Sequence, residues 1–384
     1  MRKVCVVVTA RPSYSRIKTV LDGIKAQPGL ELQLVVAASA LLDRYGSVVD
    51  QIKADGFEID TYVYMVLEGE NPTTMAKTTG IGIMELSTAF HNLQPDVVVT
   101  VADRYETMAT AIAASYSNIP VAHIQGGEVT GSIDEKVRHA VTKLADLHFV
   151  ATEQAGSRVL RMGETEDHVF VTGCPSIDIA ATVADRSALD FDPIAKYGGV
   201  GEESIDIEGG FLVVMQHPVT TEHELARSHV EETLKAVVDT GVPALWFWPN
   251  VDAGSDGTSS GLRSFREQNP EAPLHFFKNM APTDFLRLLT SSKAIVGNSS
   301  VAIRECSFLG VPAVNIGSRQ SRRERGPNVI DSGYESAEIL AAIEQQMSHG
   351  HYPASTLYGD GKAGLRIAEL LTTAPLTFSK QLAY

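Results

Sequence analysis

The chain has 384 residues, of which 44% are hydrophobic and 21% charged, a globular composition with room for two domains of ordinary size. Its formal net charge of -15 disfavours binding to long polyanions such as DNA or RNA, although a local basic pocket for one small anion is compatible with it. No apolar run approaches the roughly 18 residues of a membrane span. The apolar run at residues 4–10 is too short for a signal peptide, so we expect a cytoplasmic protein without a membrane partner.

Short apolar runs alternate with longer amphipathic stretches along the chain. The runs are residues 4–8, 34–38, 97–101, 121–124, 148–151, 169–172, 211–215, 244–248, 275–277, 294–296 and 313–316. This βαβ rhythm predicts an α/β fold with parallel sheets that are covered by helices on both faces.

The segment 175–210 interrupts this rhythm with two glycine pairs and an Asp-Pro step. We therefore place a domain junction there and predict two Rossmann-like, doubly wound domains. The first covers residues 1–178 and the second residues 179–363, with the C-terminal helical stretch, residues 364–384, as a candidate addition to the first.

Metal and cofactor motifs are missing from the sequence. The three cysteines, Cys5, Cys174 and Cys306, have no C-x-x-C spacing, which argues against disulfides and structural zinc and predicts buried thiols. No P-loop or H-E-x-x-H occurs, and the single D-x-D, Asp190 to Asp192, precedes a proline instead of following a strand. We expect no metal and no other cofactor.

Ligands of open α/β sheets bind at the carboxyl ends of the strands, so the residues that follow each run are the candidates. Arg11 follows the first run, at the place where a dinucleotide-binding protein has glycines, and no G-x-G-x-x-G is present. This argues against NAD, because a large side chain blocks the close approach of the backbone to a pyrophosphate. Arg11 either clamps a phosphate with its guanidinium or is a loop arginine on the surface.

An acid and a base, Asp103 and Arg104, come directly after the run at 97–101. This is a typical address for catalytic residues, and Asp103 can also cap the following helix.

The loop after the run at 121–124 is rich in glycine and carries Glu128 and Asp134. Carboxylates in such a loop suit proton transfer if burial raises the pKa of one of them. Ser132 and Glu135 also match a capping box. This structural interpretation explains Glu135 but not Glu128 or Asp134.

In the second half of the chain, polar residues follow three of the predicted strands. His217 precedes a proline turn, Asn250 follows the run at 244–248, and Arg319 begins a group of four arginines in seven residues. A histidine or a charge run is often structural, but at a strand end either can serve a phosphate.

The stretch from Gly297 to Glu305 indicates a strand end, a tight turn and a helix start. Its asparagine and the pair Ser299 and Ser300 place hydroxyls and backbone N–H groups where an anion binds well. Glu305 lies one and a half turns into the predicted helix, which ends at Gly310, and is close enough to accept hydrogen bonds from a ribose diol. A helix cap with a solvated glutamate is the alternative interpretation.

These strand ends together resemble the hydrolysing UDP-N-acetylglucosamine 2-epimerases of sialic acid biosynthesis and their relatives that act on UDP-diacetylbacillosamine for legionaminic acid. The resemblance spans nearly the whole chain. It rests on residues 10–15, 103–104, 126–134, 138–139, 173–176, 216–221, 249–254, 297–300, 304–305 and 317–320. It implies a GT-B-like pair of Rossmann domains with UDP in the cleft between them.

The strand-end residues and the resemblance together give a set of candidate site residues. The proposed catalytic set is Asp103, Glu128, Asp134, His217 and Arg319, and the proposed substrate and UDP contacts are Arg11, Ser15, Arg104, Gln125, Asn250, Phe277, Lys278, Met280, Ser299, Ser300 and Glu305. Gln125 stands where the family often has a carboxylate. A glutamine cannot transfer a proton, so we hypothesise that Glu128 supplies the missing carboxylate.

The family chemistry is loss of UDP by anti elimination across C1 and C2, followed by addition of water with inversion at C2. The implied partners are a UDP-sugar, UDP and further copies of the chain in a homodimer or homotetramer. The alternatives are a GT-B glycosyltransferase, a non-hydrolysing epimerase and a nucleotide-sugar sensor without chemistry.

Overall fold

Two seven-stranded sheets, each almost entirely parallel, organise the chain. The computed structural model describes residues 1–42, 48–68, 72–130, 133–184, 189–202, 205–249 and 255–383. Contacts within the chain divide it into two units. The first domain is built from Met1–Val129, Ile133–Asp178 and Tyr358–Tyr384, and the main segment of the second domain is Ile179–Leu357.

The strands follow the apolar runs of the sequence closely. In the first domain they are β1 (Arg2–Val8), β2 (Leu30–Ala37), β3 (Thr61–Val63), β4 (Val97–Val101), β5 (Val121–Ile124), β6 (Leu147–Val150) and β7 (Val169–Val171). In the second they are β8 (Val200–Gly201), β9 (Leu212–Met215), β10 (Ala244–Phe247), β11 (Leu274–Phe277), β12 (Ala294–Gly297), β13 (Ala313–Ile316) and β14 (Val329–Ser332).

Helices connect the strands. Those of the first domain are α1 (Arg11–Ser15), α2 (Lys18–Ala26), α3 (Val48–Ala54), α4 (Pro72–Leu93), α5 (Tyr105–Tyr116), α6 (Ile133–Leu144), α7 (Glu153–Arg161) and α16 (Ala363–Thr373). Helix α8 (Pro175–Ala181) begins in the first domain and ends in the second. Those of the second are α9 (Pro193–Tyr197), α10 (Ala226–Asp239), α11 (Ser255–Gln268), α12 (Pro282–Ser291), α13 (Ser300–Ile303), α14 (Glu305–Leu309) and α15 (Ser336–His349). Short 3₁₀ turns occupy Ala38–Leu41, Glu166–His168 and Thr220–Leu225.

Both sheets are doubly wound, as predicted. The strand order is β3-β2-β1-β4-β5-β6-β7 in the first and β14-β13-β12-β9-β10-β11-β8 in the second. The order therefore reverses between β1 and β4 in the first sheet and between β9 and β12 in the second. These switch points are where an open α/β sheet leaves a crevice for a ligand at the carboxyl ends of its strands.

Alternate side chains of β1 are buried on opposite faces of the sheet. Val4, Val6 and Val8 belong to one buried cluster, and Cys5 and Val7 belong to the cluster on the opposite face. A strand with two buried faces has no polar alternation, so its sequence is a continuous apolar run. The runs were readable from the sequence for this reason.

Three strands were not predicted, namely β3, β8 and β14. Each lies at an edge of its sheet; β3 and β14 are only partly buried, and β8 is exposed. Edge strands with one neighbour need no continuous apolar run, so the sequence carries no strong signal for them.

The C-terminal helix α16 packs on the first domain. Its residues Ile367 and Leu371 share a buried cluster with Val20 and Ile24 of α2. Asp178 caps the helix, because its carboxylate accepts hydrogen bonds from the backbone N–H groups of 363 and 364 at 2.9 and 2.7 Å. No helix among the described residues has the length and apolar character needed to cross a membrane.

A cluster of charged groups around the buried Glu164 fixes the chain after α16. The Nζ of Lys380 lies 2.7 Å from Oε2 of Glu164, which also accepts hydrogen bonds from His148 and Lys143. Burial opposes the charge of Glu164, but the hydrogen bonds from His148, Lys143 and Lys380 outweigh it and lower the pKa of Glu164 to about 2. The ionised carboxylate therefore stabilises the fold above its ordinary pKa, and this stabilisation is lost as the pH falls toward 2.

We expect Lys380→Met to lower the free energy of unfolding by about 1 to 3 kcal/mol at neutral pH, because Glu164 loses a charged hydrogen-bond donor. The difference from the wild type should shrink as the pH falls toward 2, where Glu164 takes up a proton. Urea unfolding at several pH values measures both effects. Lys77→Met, at an exposed lysine of the same domain, is the matched control. Equal effects of the two substitutions would contradict the assignment.

Candidate functional site

The predicted site residues lie at the carboxyl ends of the central strands. In the first domain Arg11 and Ser15 follow β1, Asp103 and Arg104 follow β4, and Gln125, Glu128 and Asp134 follow β5. In the second domain His217 follows β9, Phe277, Lys278 and Met280 lie at the end of β11 or after it, Ser299, Ser300 and Glu305 follow β12, and Arg319 follows β13. Asn250 lies outside the described residues.

A buried arginine brings two of the carboxylates together. Arg138 of α6 has no exposed surface, and its Nη2 donates to Asp103. Its Nη1 lies 3.3 Å from Oε2 of Glu128 and also donates to the main-chain oxygen of Gln125 at 3.3 Å. Asp103 is 8% exposed and Glu128 is 3% exposed. Two carboxylates held at the ends of adjacent strands are an arrangement suited to moving protons on a substrate.

The backbone adopts the left-handed region just where these strands end. Ala102 has φ 67° and Gln125 has φ 65°, a conformation that residues other than glycine rarely adopt. Such local strain clusters at functional sites, where the surrounding structure maintains it. The turn at Ala102 sets the direction in which the next residue, Asp103, leaves the strand.

His123 holds the carbonyl group of Ala102. Its Nε2 lies 2.8 Å from that oxygen, and its Nδ1 lies 3.2 Å from Oγ1 of Thr142. Burial lowers the pKa of His123 to about 4, so the ring is neutral at physiological pH. Since a carbonyl oxygen only accepts, Nε2 carries the proton and Nδ1 accepts from the hydroxyl of Thr142. His123 is therefore a fixed support of the strained turn before Asp103.

Gln125 is fully buried and contacts a thiol. Its Nε2 donates to Sγ of Cys174 at 3.0 Å, and Cys174 also lies 3.0 Å from the hydroxyl of Ser176. Among the described residues, Oε1 of Gln125 has no hydrogen-bond partner. The prediction of buried thiols is confirmed, because Cys5, Cys174 and Cys306 are all free and buried.

Arg11 begins the short helix α1 and is partly buried. Burial lowers the pKa of its guanidinium, and within the described parts of the chain it has no hydrogen bond or ion pair with another residue. A partly desolvated cation at a switch point is suited to bind an anion. Ser15, at the end of α1, donates its hydroxyl to the oxygen of Pro12 at 3.0 Å.

Arg104 and Asp134 have other surroundings. The Nε of Arg104 lies 3.2 Å from Oε2 of the fully buried Glu106, and its guanidinium lies 5.8 Å from the ring centroid of Tyr105. Asp134 lies in the first turn of α6 and is partly exposed. It is four residues before Arg138, one turn along the same helix.

In the second domain the turn after β12 requires glycine at its first position. Gly297 has φ 134°, and a Cβ there would lie 2.1 Å from the oxygen of Met215. The backbone of β12 therefore lies directly against the end of β9. The N–H of Asn298 then donates to the same oxygen of Met215 at 3.0 Å.

Asn298 joins three strand ends of the second sheet. Its Oδ1 accepts from the N–H of His217 and its Nδ2 donates to the oxygen of His217, both at 2.8 Å. Its own carbonyl oxygen accepts from Nη1 of Arg319 at 3.2 Å and from Nε2 of Gln320 at 2.9 Å. His217, Arg319 and the hydroxyl turn are thus brought together by one asparagine that is 1% exposed.

The helix predicted after this turn is divided. Ser299 caps the four-residue helix α13, and α14 begins at Glu305 after Arg304, where φ is -94° and ψ is -74°. Glu305 therefore lies at a helix start instead of one and a half turns into a helix. Its Oε2 is buried and has no hydrogen-bond partner among the described residues, which leaves an acceptor for a ligand hydroxyl.

Two of the proposed contacts at 277–280, Phe277 and Met280, have side chains in the core. Phe277 is 1% exposed and Met280 is 5% exposed, and both pack in the cluster on one face of the second sheet. The carbonyl oxygen of Phe277 already accepts from the N–H of Trp248 at 3.0 Å. The exposed side chains of Lys278 and Asn279 and main-chain groups of this stretch remain available to a ligand.

The D-x-D pattern has structural roles. Asp192 caps α9, and Asp190 forms an ion pair with Arg287. Within the described ranges, no group of three or more His, Cys, Asp or Glu side chains is arranged to hold a metal ion.

Sequence reasoning did not select Arg138, His123 or Asn298 as site residues. Arg138 had one local signal, its position one helical turn after Asp134. His123 lies inside an apolar run, and Asn298 lies in the hydroxyl turn that was selected for its serines. Their hydrogen bonds reach residues 13 to 81 positions away in the chain, so the local pattern could not assign them.

The profile of the UDP-N-acetylglucosamine 2-epimerase family matches residues 22–372. The chain is 32% identical over 376 residues to the UDP-N,N'-diacetylbacillosamine 2-epimerase (hydrolyzing) of Legionella pneumophila, covering 98% of this chain and 97% of that protein. It is 31% identical over 362 residues to the UDP-N-acetylglucosamine 2-epimerase of Neisseria meningitidis, covering 94% of this chain and 92% of that protein. The structure of the Neisseria meningitidis UDP-GlcNAc 2-epimerase bound to UDP-GlcNAc has a TM-score of 0.79 and 20% identity, covering 96% of this chain and 99% of that one.

We expect Asn298→Asp to lower the free energy of unfolding by about 1 to 3 kcal/mol, because a carboxylate cannot donate to the buried oxygen of His217. The shift of the urea midpoint measures this effect. The control is Asn269→Asp, which removes a similar amide bond to the oxygen of Phe265 on an exposed helix end. There the cost should stay below about 0.5 kcal/mol. Similar losses at the two sites would refute the role given to Asn298.

Proposed function

The chain belongs to the UDP-N-acetylglucosamine 2-epimerase family, and we propose that it is a hydrolysing member that converts UDP-GlcNAc and water into ManNAc and UDP. This reaction would supply the amino sugar for sialic acid synthesis. The observation that carries the proposal is the buried pair Asp103 and Glu128, held by Arg138 at the strand ends of a chain that matches the family along most of its length.

The reaction has two stages that both move a proton at C2. In the first, a base removes the proton from C2, the C1–O bond breaks, and its electron pair leaves with the diphosphate of UDP, giving a 2-acetamidoglucal. In the second, the hydroxyl group of water adds to C1, the remaining proton of the water passes to a base, and an acid delivers a proton to the opposite face of C2. The C2 proton is weakly acidic, so the enzyme must place the base well and stabilise the leaving group.

We assign the proton transfers to the carboxylates of the first domain. Asp103 and Asp134 are the positions that match the family's carboxylates. Glu128 replaces the carboxylate that the family often has at Gln125, whose amide cannot exchange a proton. Geometry supports this replacement, because Glu128 and the backbone of Gln125 contact the same guanidinium nitrogen, both at 3.3 Å.

We assign stabilisation of the departing diphosphate to Arg11, His217, Arg319 and the serine pair Ser299 and Ser300. Arginine binds phosphate oxygens with two parallel hydrogen bonds, and backbone N–H groups at the turn add to it. Because α13 has only four residues, its dipole is small, and the hydroxyls and N–H groups themselves are the main donors.

The remaining assignments concern the uridine and the sugar. Glu305 would accept hydrogen bonds from the ribose diol, which is consistent with its buried oxygen that lacks a partner in the described chain. Main-chain groups from Phe277 to Met280 would bind uracil, with Lys278 beside them. Ser15, Arg104, Gln125 and Asn250 complete the proposed set of substrate contacts.

UDP-N,N'-diacetylbacillosamine is the second candidate substrate. The relative from Legionella pneumophila, 32% identical along nearly the full chain, carries this activity in its name. The two substrates differ at C4 and C6, where hydroxyl groups in one correspond to an acetamido group and a methyl group in the other.

Proton NMR in deuterated water, with each substrate supplied separately, tests the proposal. We expect free 2-epimerised sugar with deuterium at C2, together with UDP, from one of the two substrates. Release of an intact UDP-sugar epimer would instead indicate a non-hydrolysing enzyme, and UDP binding without turnover would indicate a sensor. Turnover only after an acceptor is added would indicate a glycosyltransferase.

Glu128→Gln tests the replaced carboxylate. We expect kcat to fall by at least about 100-fold, because general acid or base catalysis is lost. The Kd for UDP should remain unchanged. Glu153→Gln, at an exposed glutamate in the first turn of α7, is the control and should have normal kcat. A fully active Glu128→Gln variant would remove Glu128 from the mechanism.

A further inference from the structure

Glu222 connects two segments of the second domain that both carry a proposed phosphate contact. It lies in the 3₁₀ turn Thr220–Leu225, five residues after His217. One carboxylate oxygen accepts a hydrogen bond from the hydroxyl of Ser318, the residue before Arg319. The other accepts from the hydroxyl of Tyr334 at 2.6 Å.

Tyr334 closes this connection into a ring of hydrogen bonds. While its hydroxyl donates to Glu222, its oxygen accepts from the backbone N–H of Ser318 at 3.3 Å. The ring of Tyr334 stacks on His229, with centroids 3.5 Å apart and planes at 7°. Burial and the hydrogen bond to Glu222 raise the pKa of Tyr334, so its hydroxyl remains a donor at physiological pH. Ser318 is therefore held through both its backbone and its side chain.

The hydrogen bonds of the Arg319 side chain do little to fix its orientation. Among the described residues its one hydrogen bond runs from Nη1 to the oxygen of Asn298 at 3.2 Å, and no carboxylate there pairs with it. The other guanidinium donors are thus available to a ligand. The direction of this long side chain depends on how its backbone is held, and the groups that hold the neighbouring Ser318 are Glu222 and Tyr334.

Glu222 does not act on a ligand directly. Both of its oxygens accept hydrogen bonds from hydroxyl groups of the protein, and a carboxylate would repel a diphosphate. Resting on the proposed function, which assigns the diphosphate to Arg319 and His217, we propose that Glu222 is a positioning residue that acts through Ser318 and Tyr334 to aim Arg319 at the diphosphate. It also ties the turn that carries Arg319 to the segment that carries His217.

A double-mutant cycle on UDP binding, measured by isothermal titration calorimetry with the full chain, tests this proposal. The variants are Glu222→Ala, Arg319→Gln and the two combined. We expect Glu222→Ala to raise the Kd for UDP by about tenfold, the size expected for loss of hydrogen bonds to a charged group. Arg319→Gln should raise it at least as much. In the Arg319→Gln background, Glu222→Ala should then have little further effect, because it acts only through the arginine.

Two further variants separate positioning from general damage to the fold. Tyr334→Phe keeps the ring that stacks on His229 and removes only the hydroxyl, so it should reproduce part of the loss and show the same dependence on Arg319. Glu224→Ala removes an exposed carboxylate from the same 3₁₀ turn and should leave the Kd unchanged. Thermal unfolding of each variant shows whether the domain is intact.

The possible results lead to different conclusions. If Arg319→Gln weakens UDP binding and the effect of Glu222→Ala is unchanged in its presence, the two act independently and the positioning role is wrong while the UDP site stands. If Arg319→Gln leaves the Kd unchanged, Arg319 is no phosphate contact, and both the phosphate assignment and the role of Glu222 fail. Non-additive loss, repeated with Tyr334→Phe, supports the proposal.

Discussion

The guanidinium of Arg138 is the charge on which the arrangement of the first domain's carboxylates depends. A fully buried arginine is stable only when anions or carbonyl groups surround it, and here Asp103, Glu128 and the backbone of Gln125 do so. The same requirement works in the other direction, since two buried carboxylates need the cation between them. The ends of β4 and β5 are therefore joined to α6 by charge as well as by packing.

In the second domain, the strand ends are joined by a neutral side chain instead of a charged one. Asn298 has a donor and an acceptor on its side chain, and both are used on the backbone of His217, while its own carbonyl receives Arg319 and Gln320. Because these bonds leave no charge on the asparagine, the positive potential of the arginine is preserved for a ligand. The negative charge of Glu222 faces the hydroxyl groups of Ser318, the residue before the arginine, and of Tyr334.

Much of the fold was readable because most strands are buried on both faces. The runs at 97–101 and 121–124 coincide with β4 and β5 to the residue, since parallel strands between helices tolerate few polar residues. The three edge strands, which are only partly covered, were missed. The single helix expected before Gly310 was also wrong, because the backbone at Arg304 departs from helical geometry and the helix is divided there.

The sequence by itself determined the alternation of central strands with helices, the doubly wound fold, the family, and the strand ends at which polar residues collect. These features depend on local periodicity and on motifs of a few residues. Only the tertiary structure decided which side chains meet, such as Arg138 with Glu128, His123 with the strained Ala102, and Glu222 with Tyr334. Residues 10 to 112 positions apart form these contacts, and their geometry depends on how sheets and helices pack, which no local pattern encodes.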